Sequence, residues 1–204
     1  MTVPFVLASN SPRRKRILRL MDLSVDVVPS MVEEEYLTQE PPEELVCRIG
    51  LQKAIHIGFR LPDRLVIGAD TVVVMGNRIL GKPSDLSHAK RMLRFLSGKT
   101  HTVMTGVALV KHSRNESYTF SERTDVTFRN LNDRMIDYYV ENGKPLDKAG
   151  GYAIQDWSAC FVESISGCYN NVMGFPLSRF IQVLRDPDIE RAFGPYNWFG
   201  KVGD

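Results

Sequence analysis

The chain has 204 residues, 43% of them hydrophobic, and its 26 Lys and Arg against 24 Asp and Glu leave a net charge of +2. That is enough apolar material for a full core, as one large domain or two tightly joined lobes, and too balanced a charge for a protein that binds polyanions over its whole surface. Cys47, Cys160 and Cys168 form no CxxC and His56, His88, His101 and His112 no HExxH, which argues against a disulfide framework or structural zinc; no apolar run approaches the roughly 20 residues of a bilayer span, and the N-terminus lacks the apolar region of a secretory signal, so a soluble, cytoplasmic protein without a membrane partner is expected.

Val3 to Ser9 reads as a strand, followed by a helix with Asn10 or Ser11 as N-cap, Pro12 at the first helical position and the apolar run Ile17, Leu18, Leu20, Met21. "SVDVVPS" reads as a second strand. Pro41-Pro42 then opens a helix carrying Leu45, Ile49, Lys53 and Ile57 to a stop near Gly58. The strand "LVIGADTVVV" leads into "MGNRIL", a hairpin turn by its Gly-Asn pair, and Ser84 or Asp85 caps a helix with Leu86, Ala89, Leu93 and Leu96 on one face and Gly98 past its end. Two long strands follow, "HTVMTGVALVKH" and "SYTFSERTDVTF". Asn132 caps a helix that stops at Gly143, "KPLDKAGGYAIQ" is a Gly-containing loop running into a strand, "ACFVESIS" is another strand, and Pro176 to Arg185 form a last helix. The tail from Asp186, with Phe193, Tyr196, Trp198 and Phe199, shows no clear period. This alternation implies an α/β architecture with a mixed, twisted sheet.

Several residues stand where structure alone would not ask for them. Arg13, Arg14, Lys15 and Arg16 crowd the start of the first helix, where the macrodipole is positive and cations are least welcome. A phosphate there would balance them, bound by backbone N–H groups and bidentate Arg; neither GxxxxGK[ST] nor GxGxxG follows the strand, so the hydroxyls of Ser9 and Ser11 would have to take part. A solvated basic face explains the same cluster. Asp70 interrupts an otherwise apolar strand, and a buried carboxylate is costly unless paired, hydrogen-bonded or bound to metal; a surface turn or a structural ion pair is the alternative. Lys82, in "LGKPSD", lies between a strand end and a helix start, a second location suited to anions. Lys53 sits amid apolar helix positions, where taken alone a snorkelling stem is the readier account. Glu33, Glu34 and Glu35 form a short acidic run, and Asp147 and Lys148 add charge to "DKAGG".

Together, "LASNSPRR", "GADT", "GKP", "LSGKTHTVMTGVAL", "DKAGGYAIQ" and "NVMGFPL" resemble, in order and spacing, the Maf family of nucleoside triphosphate pyrophosphatases. The resemblance covers about residues 3 to 185, the expected domain, and leaves 186–204 as an extension. It implies a Maf/ITPase-like α/β fold: an elongated mixed twisted sheet with flanking helices, two lobes and a central cleft. It also implies house-cleaning hydrolysis of a nucleoside triphosphate to the monophosphate and pyrophosphate with a divalent cation, Mg²⁺ or Mn²⁺; a homodimer is compatible with it, and no stable nucleic-acid partner is expected. On this resemblance the phosphate-binding motif matches Ser9, Ser11, Pro12, Arg13 and Arg14, the catalytic Asp is Asp70, the acidic residue after the second strand is Glu34, and two lysines match Lys53 and Lys82. Arg13, Thr71 and Gln155 match positions used for base selection. Gly81 departs from the pattern, since many relatives have Glu before the Lys-Pro.

The chemistry agrees with the residue types. Attack by water at the α-phosphorus of a triphosphate needs its charges neutralised and the water activated. Arg13, Arg14, Lys53 and Lys82 would do the first, with a hard cation held by Glu34, Asp70 and phosphate oxygens, and Asp70 the second. A Gln amide offers the acceptor and donor that complement N3–H and O4 of uracil and thymine, and flipped it would also fit cytosine; the Gln after "YxI" resembles the dTTP/UTP group of the family, so dTTP and UTP are the expected substrates, with CTP or modified pyrimidine nucleotides as weaker ones. A competing class, a nucleic-acid-binding or septation-regulating protein, would use the same basic cluster but fits the balanced charge and the buried Asp poorly.

Overall fold

The computed structural model describes residues 5–21, 25–37 and 39–194. The expected helices begin at the expected caps. Helix α1 (Pro12–Arg19) follows strand β1 (Phe5–Leu7), and the Ser11 hydroxyl accepts from the Arg14 N–H, with Pro12 in the first turn. Strand β2 (Val25–Val27) and helix α2 (Pro42–Gly58) come next, followed by strand β3 (Val66–Met75), strand β4 (Arg78–Leu80) and helix α3 (Leu86–Leu96), which Asp85 caps by accepting from the His88 N–H. The β3–β4 turn places Gly76 at φ +57°, as a Gly-first two-residue hairpin requires. Strands β5 (Thr100–Lys111) and β6 (Glu116–Phe128) are the two long strands, and Asn132 caps helix α4 (Asp133–Asn142). Strand β7 (Val162–Ser166), a short helix α5 (Tyr169–Val172), helix α6 (Leu177–Leu184) and helix α7 (Pro187–Phe193) complete the order.

The seven strands form one mixed sheet in the order β2-β1-β3-β5-β6-β7, with β4 beside β3. β1 runs parallel to β2 and β3, whereas β3–β4 and β6–β7 are antiparallel. The mixed α/β class is therefore as expected. The chain divides into two compact units, with boundaries within β3 after Asp70, within β5 after Met104, within β6 after Glu122 and again after Met173, where the chain returns to the first unit. The first has a core of Val6, Ala8, Ala54, Ile57, Val66, Ala108 and Val110. The second is built on Val73, Leu93, Leu96, Val126, Phe128, Tyr139, Tyr152 and Phe161.

Three expectations need correction. Tyr152 to Gln155 is not a strand: Gly150 and Gly151 take φ of +67° and +77°, breaking the extension, and the N–H and C=O of Ala153 are both met by the Ser158 hydroxyl instead of a neighbouring strand. The strand "ACFVESIS" begins only at Val162, because Trp157–Phe161 is a 3₁₀ turn capped by Asp156. The helix ending near Arg185 is not the last. Asp186 caps α7 with Pro187 in its first turn, Ile189 and Phe193 are buried one turn apart, and Lys111 and Arg114 donate to carbonyls at its C-terminal end. Val3 and Pro4 of the first predicted strand, Ser24 of the second, and the tail aromatics Tyr196, Trp198 and Phe199 lie outside the described residues.

Candidate active site

In the first unit, a glycine decides how closely a helix meets a strand. A Cβ on Gly68 of β3 would collide with the Gly50 carbonyl oxygen of α2, so only glycine lets the two backbones approach this far. That approach lays α2 on β3 and sets Lys53 against Asp70. The Lys53 ammonium donates to Asp70 Oδ1 and to Glu34 Oε1, each at 2.8 Å, and both Lys53 and Asp70 are buried. Asp70 Oδ2 is buried too and has no hydrogen-bond partner among the described residues. Asp70 is thus not a surface turn; it forms an ion pair with Lys53 through Oδ1 alone, and the Lys53 ammonium does not snorkel to solvent.

Glu34 reaches Lys53 because α2 holds the preceding loop at two further points. Arg48 pairs with both oxygens of Glu40 at 2.6 Å and donates to the Glu35 carbonyl, while His56 Nδ1 accepts from the Met31 N–H and lies 3.0 Å from the Ser30 hydroxyl. Residues 48, 53 and 56 are spaced so that one helix face meets the loop. Tyr36, unmarked in the sequence reading, has its pKa raised by burial and then by the charges of Asp70 and Glu34, which puts its phenol in the field of the two carboxylates. An aromatic directly after the acidic run was the available signal.

The basic cluster divides. Arg14 is buried, and its guanidinium donates to the Gly174 carbonyl at 2.9 Å and to the Ser9 hydroxyl at 3.0 Å. Burial lowers its pKa, Asp70 opposes the shift, Arg13 adds to it and Glu34 opposes it, so these four charges act on one another. One guanidinium thus serves the "SPRR" turn and the "MGFP" turn. Arg13 is half-exposed on the same helix. Ser9 accepts from the Ser11 N–H and from Arg14, and Ser11 caps α1.

Three candidates belong to the second unit. Thr71 follows Asp70 on β3 and is partly buried. Lys82 is exposed between β4 and α3, in a turn joined to the glycine loop by the Gly150 N–H donating to the Gly81 carbonyl at 3.0 Å. Gln155 is half-buried in a non-strand turn, and its Oε1 is buried without a hydrogen-bond partner among the described residues. Lys148 donates to the Gly143 and Lys144 carbonyls and to Asp147, with Asp156 Oδ2 at 3.7 Å. It closes the end of α4.

No group of three or more His, Cys, Asp or Glu among the described residues forms a metal cluster, and no helix among them is long and apolar enough to cross a membrane. The donor set present is two carboxylates, Glu34 and Asp70, converging on one cationic point, with an open Asp70 oxygen. It fits a hard divalent cation that keeps most of its ligands as water and substrate phosphate oxygens.

The chain resembles a curated dTTP/UTP pyrophosphatase of Bacillus mycoides, strain KBAB4, at 46% identity over 189 residues, 92% of this chain and 98% of the relative. It resembles another of the same name from Bacillus cytotoxicus at 47% over 184 residues, 90% of this chain and 95% of the relative. A solved structure of a HAM1 protein from Coxiella burnetii matches with a TM-score of 0.53 at 14% identity, covering 89% of this chain and 98% of that one, a likeness of fold alone. The family described as "Maf-like protein" matches residues 4–187, and with that span and those identities the chain belongs to the Maf family.

Proposed function

We propose that this protein hydrolyses dTTP and UTP to the nucleoside monophosphate and pyrophosphate by attack of water at the α-phosphorus, in the cytoplasm. The observation that carries the reading is the Asp70 carboxylate: one oxygen tied to the Lys53 ammonium at 2.8 Å, the other buried and open, beside Glu34 and in the field of Arg14. Lys53 fixes Asp70 Oδ1 by direct pairing, and a carboxylate with an uncommitted oxygen is what a general base requires. The names of the relatives support the substrates.

In this reading Asp70 Oδ2 takes a proton from water as the water oxygen bonds to the α-phosphorus, and the bridging oxygen departs with pyrophosphate. Arg13, Arg14, Lys53 and Lys82 hold the phosphate oxygens and spread their charge. Ser9 already accepts two hydrogen bonds, which leaves its own proton for a phosphate oxygen. Glu34 and Asp70 would hold Mg²⁺ or Mn²⁺, which when bound neutralises triphosphate charge. Gln155 reads the base by accepting from N3–H and donating to O4, with Arg13 and Thr71 as the other selectivity positions.

The test is a panel of common nucleoside triphosphates with Mg²⁺ or Mn²⁺, assayed for pyrophosphate and orthophosphate separately. Pyrophosphate should appear fastest from dTTP and UTP. Release of orthophosphate as the first product, or equal turnover of purine and pyrimidine nucleotides, would overturn the reading.

A further inference from the structure

Gln155 has a long, flexible side chain in a segment with no strand partners, yet reading a base edge requires its amide head to arrive at one place. The turn around it supplies the missing rigidity. Ser158 is fully buried, and its hydroxyl accepts from the Ala153 N–H at 3.0 Å. Its single proton is shared between the Ala153 carbonyl at 2.8 Å and Asp156 Oδ1 at 2.6 Å. Asp156 Oδ1 also accepts from the Ser158 N–H at 3.0 Å, and the Asp156 N–H donates to the Ala153 carbonyl at 3.2 Å. Upstream, the Tyr152 hydroxyl is 2.7 Å from His101 Nε2 inside the core. The backbone is therefore fixed on both sides of Gln155, and the Gln155 Oε1 itself has no partner among the described residues.

We infer that Ser158, supported by Asp156, is a positioning residue for base selection: it closes the Ala153–Ser158 turn so that the Gln155 amide is presented in one place. This rests on the reading of Gln155 as the base-contacting residue. Thymine and uracil offer a donor at N3 and an acceptor at position 4, whereas cytosine offers an acceptor and a donor there, so the two edges differ only in polarity. A turn that let the amide wander would still admit pyrimidines but would rank them poorly, because an edge left unpaired is what rejects the wrong base.

Ser158→Ala leaves the Ala153 N–H without its hydroxyl acceptor and should lower the ratio of kcat/KM for dTTP to that for CTP by about tenfold. The inhibition constant of pyrophosphate should stay unchanged. Ser158→Ala in a Gln155→Ala background should not move the ratio further, since a residue acting through Gln155 has nothing left to position. Asp156 is only half-buried, so Asp156→Ala and Asp156→Asn give a second comparison if Ser158→Ala fails to fold. The Asn variant keeps the acceptor and should keep the parent ratio, and the Ala variant should lower it. Equal falls for dTTP, UTP and CTP in the Ser158 and Asp156 variants, or additive effects of Ser158→Ala and Gln155→Ala, would reduce the turn to a structural role and overturn the inference. If Gln155→Ala alone leaves the panel unchanged, the assignment of Gln155 has failed and the inference falls with it.

Discussion

The cluster around Asp70 and the turn around Gln155 are stabilised in opposite ways. At Asp70, Lys53 and Glu34, the contacts are between charges, two of them buried, and each partner removed leaves another uncompensated. At Ala153, Gln155 and Ser158 the contacts are mostly between a hydroxyl and backbone groups, with one carboxylate at the edge. On the proposed function the first arrangement stores charge for chemistry on phosphates, and it is costly to dismantle. The second fixes a shape and leaves one neutral acceptor open, which suits discrimination between similar bases. If the contrast is right, substitutions in the two regions should separate rate from selectivity.

The largest effect is expected at Asp70. Asp70→Asn keeps the shape and removes the base, so kcat should fall by about 100-fold to 10,000-fold for every nucleotide, with the dTTP to CTP ratio preserved. Pyrophosphate release kinetics decide this, and near-normal turnover by the folded variant would remove Asp70 from the mechanism. Lys53→Met should cost about 3 to 5 kcal/mol of folding stability, because it leaves Asp70 and Glu34 facing each other without their shared cation. Urea titration measures the loss, and added Mn²⁺ should restore more stability to this variant than to the parent if the two carboxylates hold a divalent ion.

His101 gives the second unit its own pH dependence. Burial lowers its pKa from 6.5 to about 4, with the charge of Asp125 opposing the shift. Between these values the unfolded chain binds the extra proton and the folded chain does not, so the contribution is complete above about pH 6.5 and is lost as pH falls towards 4. The full amount is about 3 kcal/mol. His101→Phe should flatten the fall in unfolding free energy between pH 6.5 and 4 relative to the parent; an unchanged slope would show that the ring does not titrate with folding.

Arg14 and Arg13 sharpen the comparison within one helix. Arg14→Ala should lower activity and also cost about 1.5 to 3 kcal/mol of stability, since its guanidinium holds the Gly174 carbonyl and the Ser9 hydroxyl. Arg13→Ala should weaken turnover with a smaller shift in the melting temperature. The most confined effect belongs to Gln155→Glu, which removes the donor to O4. An unpaired buried group costs roughly 1 to 3 kcal/mol, so kcat/KM for dTTP and UTP should fall by about one to two orders of magnitude while CTP changes less and the relative rate on GTP rises. Equal losses across dTTP, UTP, CTP and GTP would move Gln155 from the base to the fold or the phosphate site.

Caps and turns were legible because they are local contracts between a residue and backbone a few positions away. Ser11, Asp85 and Asn132 each accept from the N–H three residues on, and Gly76 takes the φ its turn demands. The same local signal, Asp186 before Pro187 with Ile189 and Phe193 spaced by four, announces α7, although an irregular tail was expected there. The site motifs were legible as residue types in order, which was enough for the family. Which charge meets which was decided elsewhere. Lys53 and Asp70 are partners because Gly68 lets α2 approach β3, and Arg14 is buried because the turn at Gly174, 160 residues later, offers a carbonyl. The turn at Gln155 likewise depends on a serine whose hydroxyl outcompetes a strand neighbour for the Ala153 backbone. Short-range hydrogen bonding can be read along a chain, but burial and charge pairing depend on atoms that only folding brings together, and there the tertiary structure settles which reading of a residue is true.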